Sequence, residues 1–194
     1  YDAEKGLVSF INFRYMNDKK QTGQLQFNPN TDRGTTNSWG SEIDTERLDI
    51  ATKVGYVFKD LPFQSIGFQN AFTSHNQQSY FGLRGYNIKQ NSFYSNLIFN
   101  SIINNTMNKF ATGLNFTLDN YQELVQQVDW SRIDNSVGAF FEYTFDNDDN
   151  FSFILGGRVD NHNRLGIFVT PRLHLRYNPW EKAVVRFSAG RGKR

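Results

Sequence analysis

The sequence predicts an all-β chain, an antiparallel meander of about nine strands forming one stretch of a larger barrel wall. Three observations carry the prediction. Segments of about ten residues alternate apolar and polar side chains, the length of a tilted strand crossing a bilayer. Short connections near Lys59–Pro62, Asn104–Asn108, Asp146–Asn150 and Asn178–Lys182 alternate with long polar ones near Asn17–Arg47, His75–Asn91, Asp119–Asn135 and Asp160–Gly166. The 194 residues are 38% hydrophobic yet 16% aromatic. That balance suits strands apolar on one face only, with aromatics crowding that face and its borders.

Taken in order, Leu7, Ile11, Phe13 and Tyr15 are expected to face outward, with Asn12 and Arg14 inward. Over Arg47–Phe58, Leu48, Ile50, Thr52, Val54, Tyr56 and Phe58 share one face against Asp49, Ala51, Lys53 and Gly55, because successive side chains alternate. Ile66, Phe68, Asn70 and Phe72 oppose Gly67, Gln69, Ala71 and Thr73. Over Ser92–Asn104 both faces mix Asn or Ser with apolar residues, so parity sets no register. Phe110, Thr112, Leu114, Phe116 and Leu118 then oppose Lys109, Gly113, Asn115, Thr117 and Asp119, and Val137 to Phe145 repeat the pattern at odd positions.

In the last strands Phe153, Leu155, Gly157 and Val159, then Ile167 to Tyr177, then Ala183 to Ala189 supply the outward face at odd positions. The charges fall on the other side. An Arg or Lys facing lipid at the midplane costs about 2–4 kcal/mol, so Lys53, Glu142, Arg158, Arg172, Arg176 and Arg186 are assigned to the lumen. Aromatics bracket three short turns, Phe58 with Phe63, Phe145 with Phe151 and Tyr177 with Trp180, where an interfacial belt belongs. Short turns are expected toward the periplasm and long connections toward the outside.

Composition excludes several classes. A net charge of +2 with no basic patch interleaved with stacking aromatics gives no basis for nucleic-acid binding. The chain has no Cys, which removes disulfides, thiolate chemistry and Cys-based zinc sites. No run of 18 uncharged apolar residues exists, which excludes membrane helices, and the mean hydropathy of −0.60 says nothing against membrane strands. Asp146–Asn150 lacks the Gly and Glu of a calcium loop and reads as a polar turn. His75, His162 and His174 have no ligand spacing, and no nucleophile elbow, metalloprotease motif or phosphate-binding loop occurs. Nothing reads as catalytic, and no cofactor is expected.

Function is therefore sought on the loops, where binding groups gather on a rigid scaffold. Trp39, His75, Tyr80, Tyr86, Tyr121, Trp130 and His162 are rings in polar surroundings, candidates either for ligand contact or for anchoring the loops to one another.

Several motifs come in a telling order: Gly156-Gly157-Arg158-Val159-Asp160, Thr170-Pro171-Arg172, Tyr177-Asn178-Pro179, and Arg186-Phe187-Ser188-Ala189-Gly190-Arg191-Gly192-Lys193-Arg194. Upstream lie Ser74-His75, Phe81-Gly82, Tyr86 and Lys109-Phe110-Ala111-Thr112-Gly113. Over roughly residues 60–194 this resembles the mid-barrel stretch of TonB-dependent outer-membrane receptors, especially of the Bacteroidota type. The resemblance implies a bacterial outer-membrane barrel of about twenty-two strands, of which residues 1–194 are a partial wall without the plug. It implies uptake of an iron chelate, a cobalamin or a glycan, with lipid, the plug, the TonB complex and the substrate as partners. Arg158, Arg172, Arg176 and Arg186 would contact the plug or line the path. A passive porin-like channel, or a secreted soluble β-sandwich or carbohydrate-binding module, is the competing reading.

Overall fold

The computed structural model describes residues 6–61, 63–147 and 149–192. Every element among them is a strand: β1 (Leu7–Gly23), β2 (Gly40–Val57), β3 (Ser65–Phe81), β4 (Arg84–Ile103), β5 (Asn105–Val125), β6 (Val128–Asp129), β7 (Arg132–Asp146), β8 (Phe151–His162), β9 (Gly166–Trp180) and β10 (Ala183–Gly190). They form a single antiparallel sheet in sequence order, with the two-residue β6 folded back onto β5. The expected nine-strand meander is therefore the main path of a ten-stranded sheet. Among the described residues no second layer covers it, as a sandwich would require.

Register confirms the reading by parity. Val54, Phe68, Leu97, Leu114, Ala139, Val159 and Val169 are successive cross-strand partners, making one continuous apolar row across seven strands. Partners lie on one face of a pleated sheet. Lys53, Glu142, Arg158, Arg172, Arg176 and Arg186 share the opposite face. The register also settles β4: Phe93 pairs with Phe72, Leu97 with Phe68 and Phe99 with Ile66, which puts its odd positions on the apolar side. At β10 the register shifts between Ala183 and Val185, so Ala183 sits opposite Trp180 instead of continuing the Val185 series.

The apolar side chains are not gathered into a core. Tyr80 is the one buried hydrophobic residue among those described, while Phe13, Leu114, Phe141 and Phe187 are more than half exposed. A closed sheet satisfies its backbone internally and can turn such a face to lipid. Toward the short turns this face ends in packed rings: Phe145, Phe151 and Phe153 lie 5.7–6.3 Å apart, and Tyr143 stands 5.7 Å from Phe153.

Two of the short turns are closed by asparagine. Asn104 alone, at a φ of 64°, joins β4 to β5, a left-handed backbone that asparagine tolerates. Asn147 Oδ1 accepts from the backbone N–H groups of Asp149, Asn150 and Phe151 at 3.2, 3.1 and 2.9 Å, which explains the acidic run after Phe145 as turn chemistry.

The opposite end differs from expectation. The segments 75–91 and 119–135 are not loops but the continuation of β3–β4 and β5–β7 into tall hairpins. The β3–β4 hairpin turns at Gly82–Leu83, and the β5–β6 hairpin turns at Gln126 and Gln127, both with positive φ. At ~3.3 Å per residue the twenty residues of β4 reach about 66 Å. Tilted by ~45° they still rise well beyond an apolar band of about 25 Å. Past that band both faces turn polar, which reads as loop in sequence, yet the ladder of hydrogen bonds continues. Of the long connections, 24–39 remains irregular.

Candidate functional site

The face opposite the apolar row carries the chemistry, in two zones. Toward the tall hairpins, two neighbouring rows of partners run across the sheet: Arg47, His75, Gln90, Tyr121 and Arg132, and next to them Asp49, Thr73, Ser92, Asp119 and Asp134. Their side chains interlock. Arg47 donates twice to Asp49 at 2.9 Å, and Thr73 Oγ1 donates to the same carboxylate at 2.7 Å. Ser92 donates to Asp119, and Gln90 Nε2 donates to Ser92 at 2.8 Å and Tyr121 Oη at 3.3 Å.

Arg132 is the hub. Its Nη1 donates to Glu123 Oε2 at 2.6 Å, its Nε stands 3.3 Å from Asp134, and its guanidinium lies 4.1 Å from the centre of the Tyr121 ring. Tyr86 Oη donates to the other Glu123 oxygen at 3.3 Å, and Arg164 reaches Asp134 at 3.5 Å. Four carboxylates thus meet three arginines on a rigid, partly buried surface rich in hydroxyls and amides. Such a surface can hydrogen-bond a polar ligand without first reorganising.

The structure sorts the seven candidate rings. Tyr86 and Tyr121 join this network, and Trp130 lies beside it, its backbone N–H donating to Glu123 O at 2.8 Å. Trp39 and Tyr80 belong to a separate group around the 24–39 segment, where Arg33 lies 4.6 Å over the Tyr80 ring and Trp39 packs beside Gly82. His75 sits in the Arg47–Gln90 row with Nδ1 buried and unpartnered. His162 ends β8, its Nδ1 accepting from the Arg164 N–H at 3.1 Å. Only Trp39 and Trp130 lie outside the strands; the other five stand on them, contrary to the loop assignment. Glu123, Asp119, Asp134 and Arg132 were not singled out by sequence, because most of their partners lie 9 to 37 positions away and meet only through register.

The second zone lies nearer the short turns. Arg158 forms a two-armed bond to Asp160, both arms 2.7 Å, and Arg172 pairs with Glu142. Arg176 and Arg186 face each other across β9 and β10. Glycines make room for side chains lying flat: a Cβ on Gly113 would strike the Phe140 ring at 2.7 Å, and one on Gly156 would meet Arg172 Nε at 2.9 Å. No group of three or more metal-binding side chains occurs among the described residues.

Comparison with known proteins agrees with this architecture. Residues 4–194 match the model of the "TonB dependent receptor-like, beta-barrel" family. Among solved structures the chain is similar to the alcaligin outer-membrane receptor FauA of Bordetella pertussis, with 12% identity, a TM-score of 0.72, and coverage of 96% of this chain and 33% of that one. It is also similar to the siderophore receptor PirA of Pseudomonas aeruginosa, with 11% identity, a TM-score of 0.65, and coverage of 92% and 33%. The chain spans about a third of the length of these two structures. No curated protein matches.

Proposed function

The chain belongs to the TonB-dependent receptor β-barrel family of the bacterial outer membrane, and from that premise we propose that it is one sector of the wall of an active transporter for a scarce nutrient. The observation that carries the reading is the division of labour between faces. One face meets lipid along the Val54–Val169 row. The other holds a fixed network of charge, hydroxyl and amide groups at the hairpin end and paired arginines below it.

In this reading the Tyr86–Glu123–Arg132–Tyr121 cluster, with Trp130 beside it, offers first contacts to a substrate entering from outside. Trp39 with Tyr80, and the separate His75 and His162, complete the candidate set. An iron chelate is the substrate class favoured by the likeness to two siderophore receptors; a cobalamin or a glycan is the alternative. Arg158, Arg172, Arg176 and Arg186 face a plug domain filling the lumen, and the plug in turn engages the TonB complex. The wall itself performs no chemistry.

The test is uptake by cells carrying the full-length receptor. Arg132→Ala and Tyr121→Ala should reduce uptake of a radiolabelled iron chelate several-fold at unchanged receptor level. Arg176→Ala with Arg186→Ala should weaken plug retention or uptake. Wild-type uptake in all these variants, or uptake that persists when the proton-motive force is collapsed, would overturn the reading in favour of a passive channel.

A further inference from the structure

The face that carries the apolar row continues upward into the tall hairpins. There register aligns Glu46, Asn76, Lys89 and Gln122 in one row, and Asp44, Gln78, Asn87, Leu124 and Asp129 in the next. Both rows share the side of Phe72, Phe93 and Leu118, since every second residue returns to the same face. Asn76, Gln78, Lys89 and Gln122 are exposed. Among the described residues their side chains hold no hydrogen bond or ion pair. The carboxylate in the row of Lys89 belongs to Glu46, two strands away and bonded to Tyr15 Oη at 3.1 Å.

These groups border a hollow of about 340 Å³. Leu124, 44% exposed, gives it an apolar patch, and β6 folds back to place Asp129 at its rim. Glu123 also borders it, but its carboxylate is held by Arg132 and Tyr86. Free amides that both donate and accept, one unpaired ammonium and a small apolar patch match the chemistry of a phosphorylated sugar.

Height selects the source. Lys89 lies four residues above Phe93, about 13 Å along the strand and about 9 Å of rise at a ~45° tilt. By the same measure Asn87 stands about 14 Å up. The polar layer of an ordinary leaflet is about 5–8 Å deep, too shallow to reach either residue. A headgroup that continues upward as sugar reaches both. The surface is continuous with the apolar row that meets lipid, so whatever caps those acyl chains stands against it.

We infer that this outward hollow binds the phosphorylated sugar headgroup of an outer-leaflet glycolipid, with Lys89 on phosphate and Asn76, Gln78 and Gln122 on sugar hydroxyls. The inference rests on the apolar row meeting lipid and is independent of any transported substrate.

The experiment uses the full-length receptor, delipidated in detergent and offered a fluorescent lipopolysaccharide truncated to its phosphorylated core. Binding should be saturable. Lys89→Glu should weaken it about tenfold, and Asn76→Ala with Gln122→Ala several-fold, with heat-modifiable migration retained in each. Lys20→Glu makes the same charge change on the opposite face and should alter nothing, while a dephosphorylated probe should bind several-fold more weakly. Equal affinity in wild type and Lys89→Glu, or no saturable binding, would overturn the site. So would phosphatidylglycerol competing as well as the glycolipid, which would reduce it to plain phosphate attraction. Self-association that Lys89→Glu abolishes would give the hollow to a second copy and overturn the inference too. None of these outcomes touches the apolar row, which Leu114→Arg tests separately.

Discussion

Tyr121 and Arg132 face one another across β5 and β7, and the guanidinium of Arg132 lies 4.1 Å from the centre of the Tyr121 ring while its Nη1 holds Glu123 at 2.6 Å. One side chain thereby ties the main ladder to the hairpin tip built by β6. A cation–π contact at such a half-exposed site is worth about 0.5–1 kcal/mol and the ion pair about as much. Arg132→Ala should loosen the tip locally, seen as faster hydrogen exchange over 123–131 with little change in the melting of the barrel. Arg132→Lys should restore only part, because a lysine cannot stack and donate in the same plane.

The two faces should respond oppositely to the same substitution. Leu114→Arg places a charge in the apolar row and should cost about 2–4 kcal/mol, read as a lower fraction of heat-modifiable, folded barrel. Thr117→Arg, three residues on and facing the lumen, should assemble normally. Equal assembly of both would show that the apolar row does not meet lipid.

Gly138 is expected to be intolerant. A Cβ there would overlap Asp160 and stand 2.5 Å from Asn115 Oδ1. Asp160 is 3% exposed and anchored by Arg158, so it has nowhere to go. Gly138→Ala should lower stability by about 1–3 kcal/mol through overpacking, measured as a reduced unfolding temperature in detergent. Gly67→Ala, with open space around it, should leave that temperature unchanged.

The irregular 24–39 segment should respond to acid. The Asn28 N–H and the Ser38 hydroxyl both donate to Asp32 at 2.8 Å, and these bonds hold its carboxyl below the ordinary 3.8. A depressed acid contributes order above its unfolded value and loses it as pH falls through the folded one. Hydrogen exchange over 28–38 should therefore stay slow at pH 5 and quicken only in stronger acid, and Asp32→Asn should remove that dependence.

Much of this architecture was legible in the alternation of residues. The shared apolar face of β2, β3, β5, β7, β8 and β9, and the placement of Arg158, Arg172, Arg176 and Arg186 on the opposite face, follow from parity alone. What escaped has physical causes. β4 resisted because Tyr94, Ile98 and Ile102 lie on the face opposite the apolar row, which erased the contrast between sides. The tall hairpins read as loops because beyond the bilayer neither face needs to be apolar, and hydrophobicity no longer marks the strand. The Gln126–Gln127 turn carries none of the glycine or asparagine that usually announces such a reversal. The Glu123–Arg132–Tyr121–Tyr86 network depends on register between strands, which no single segment contains.

The hairpins that outgrow the bilayer also decide what a visitor at the cell surface can grasp. A protease needs a length of unpaired backbone to thread into its cleft, and paired ladder offers none. Gly82–Leu83, Gln126–Gln127 and 163–165 are too tight to yield, which leaves 24–39 as the stretch among the described residues where surface shaving should cut. An antibody raised against unfolded peptides from 75–91 or 119–135 should fail on intact cells for the same reason: those epitopes are locked in sheet, their backbone already spoken for by the neighbouring strand.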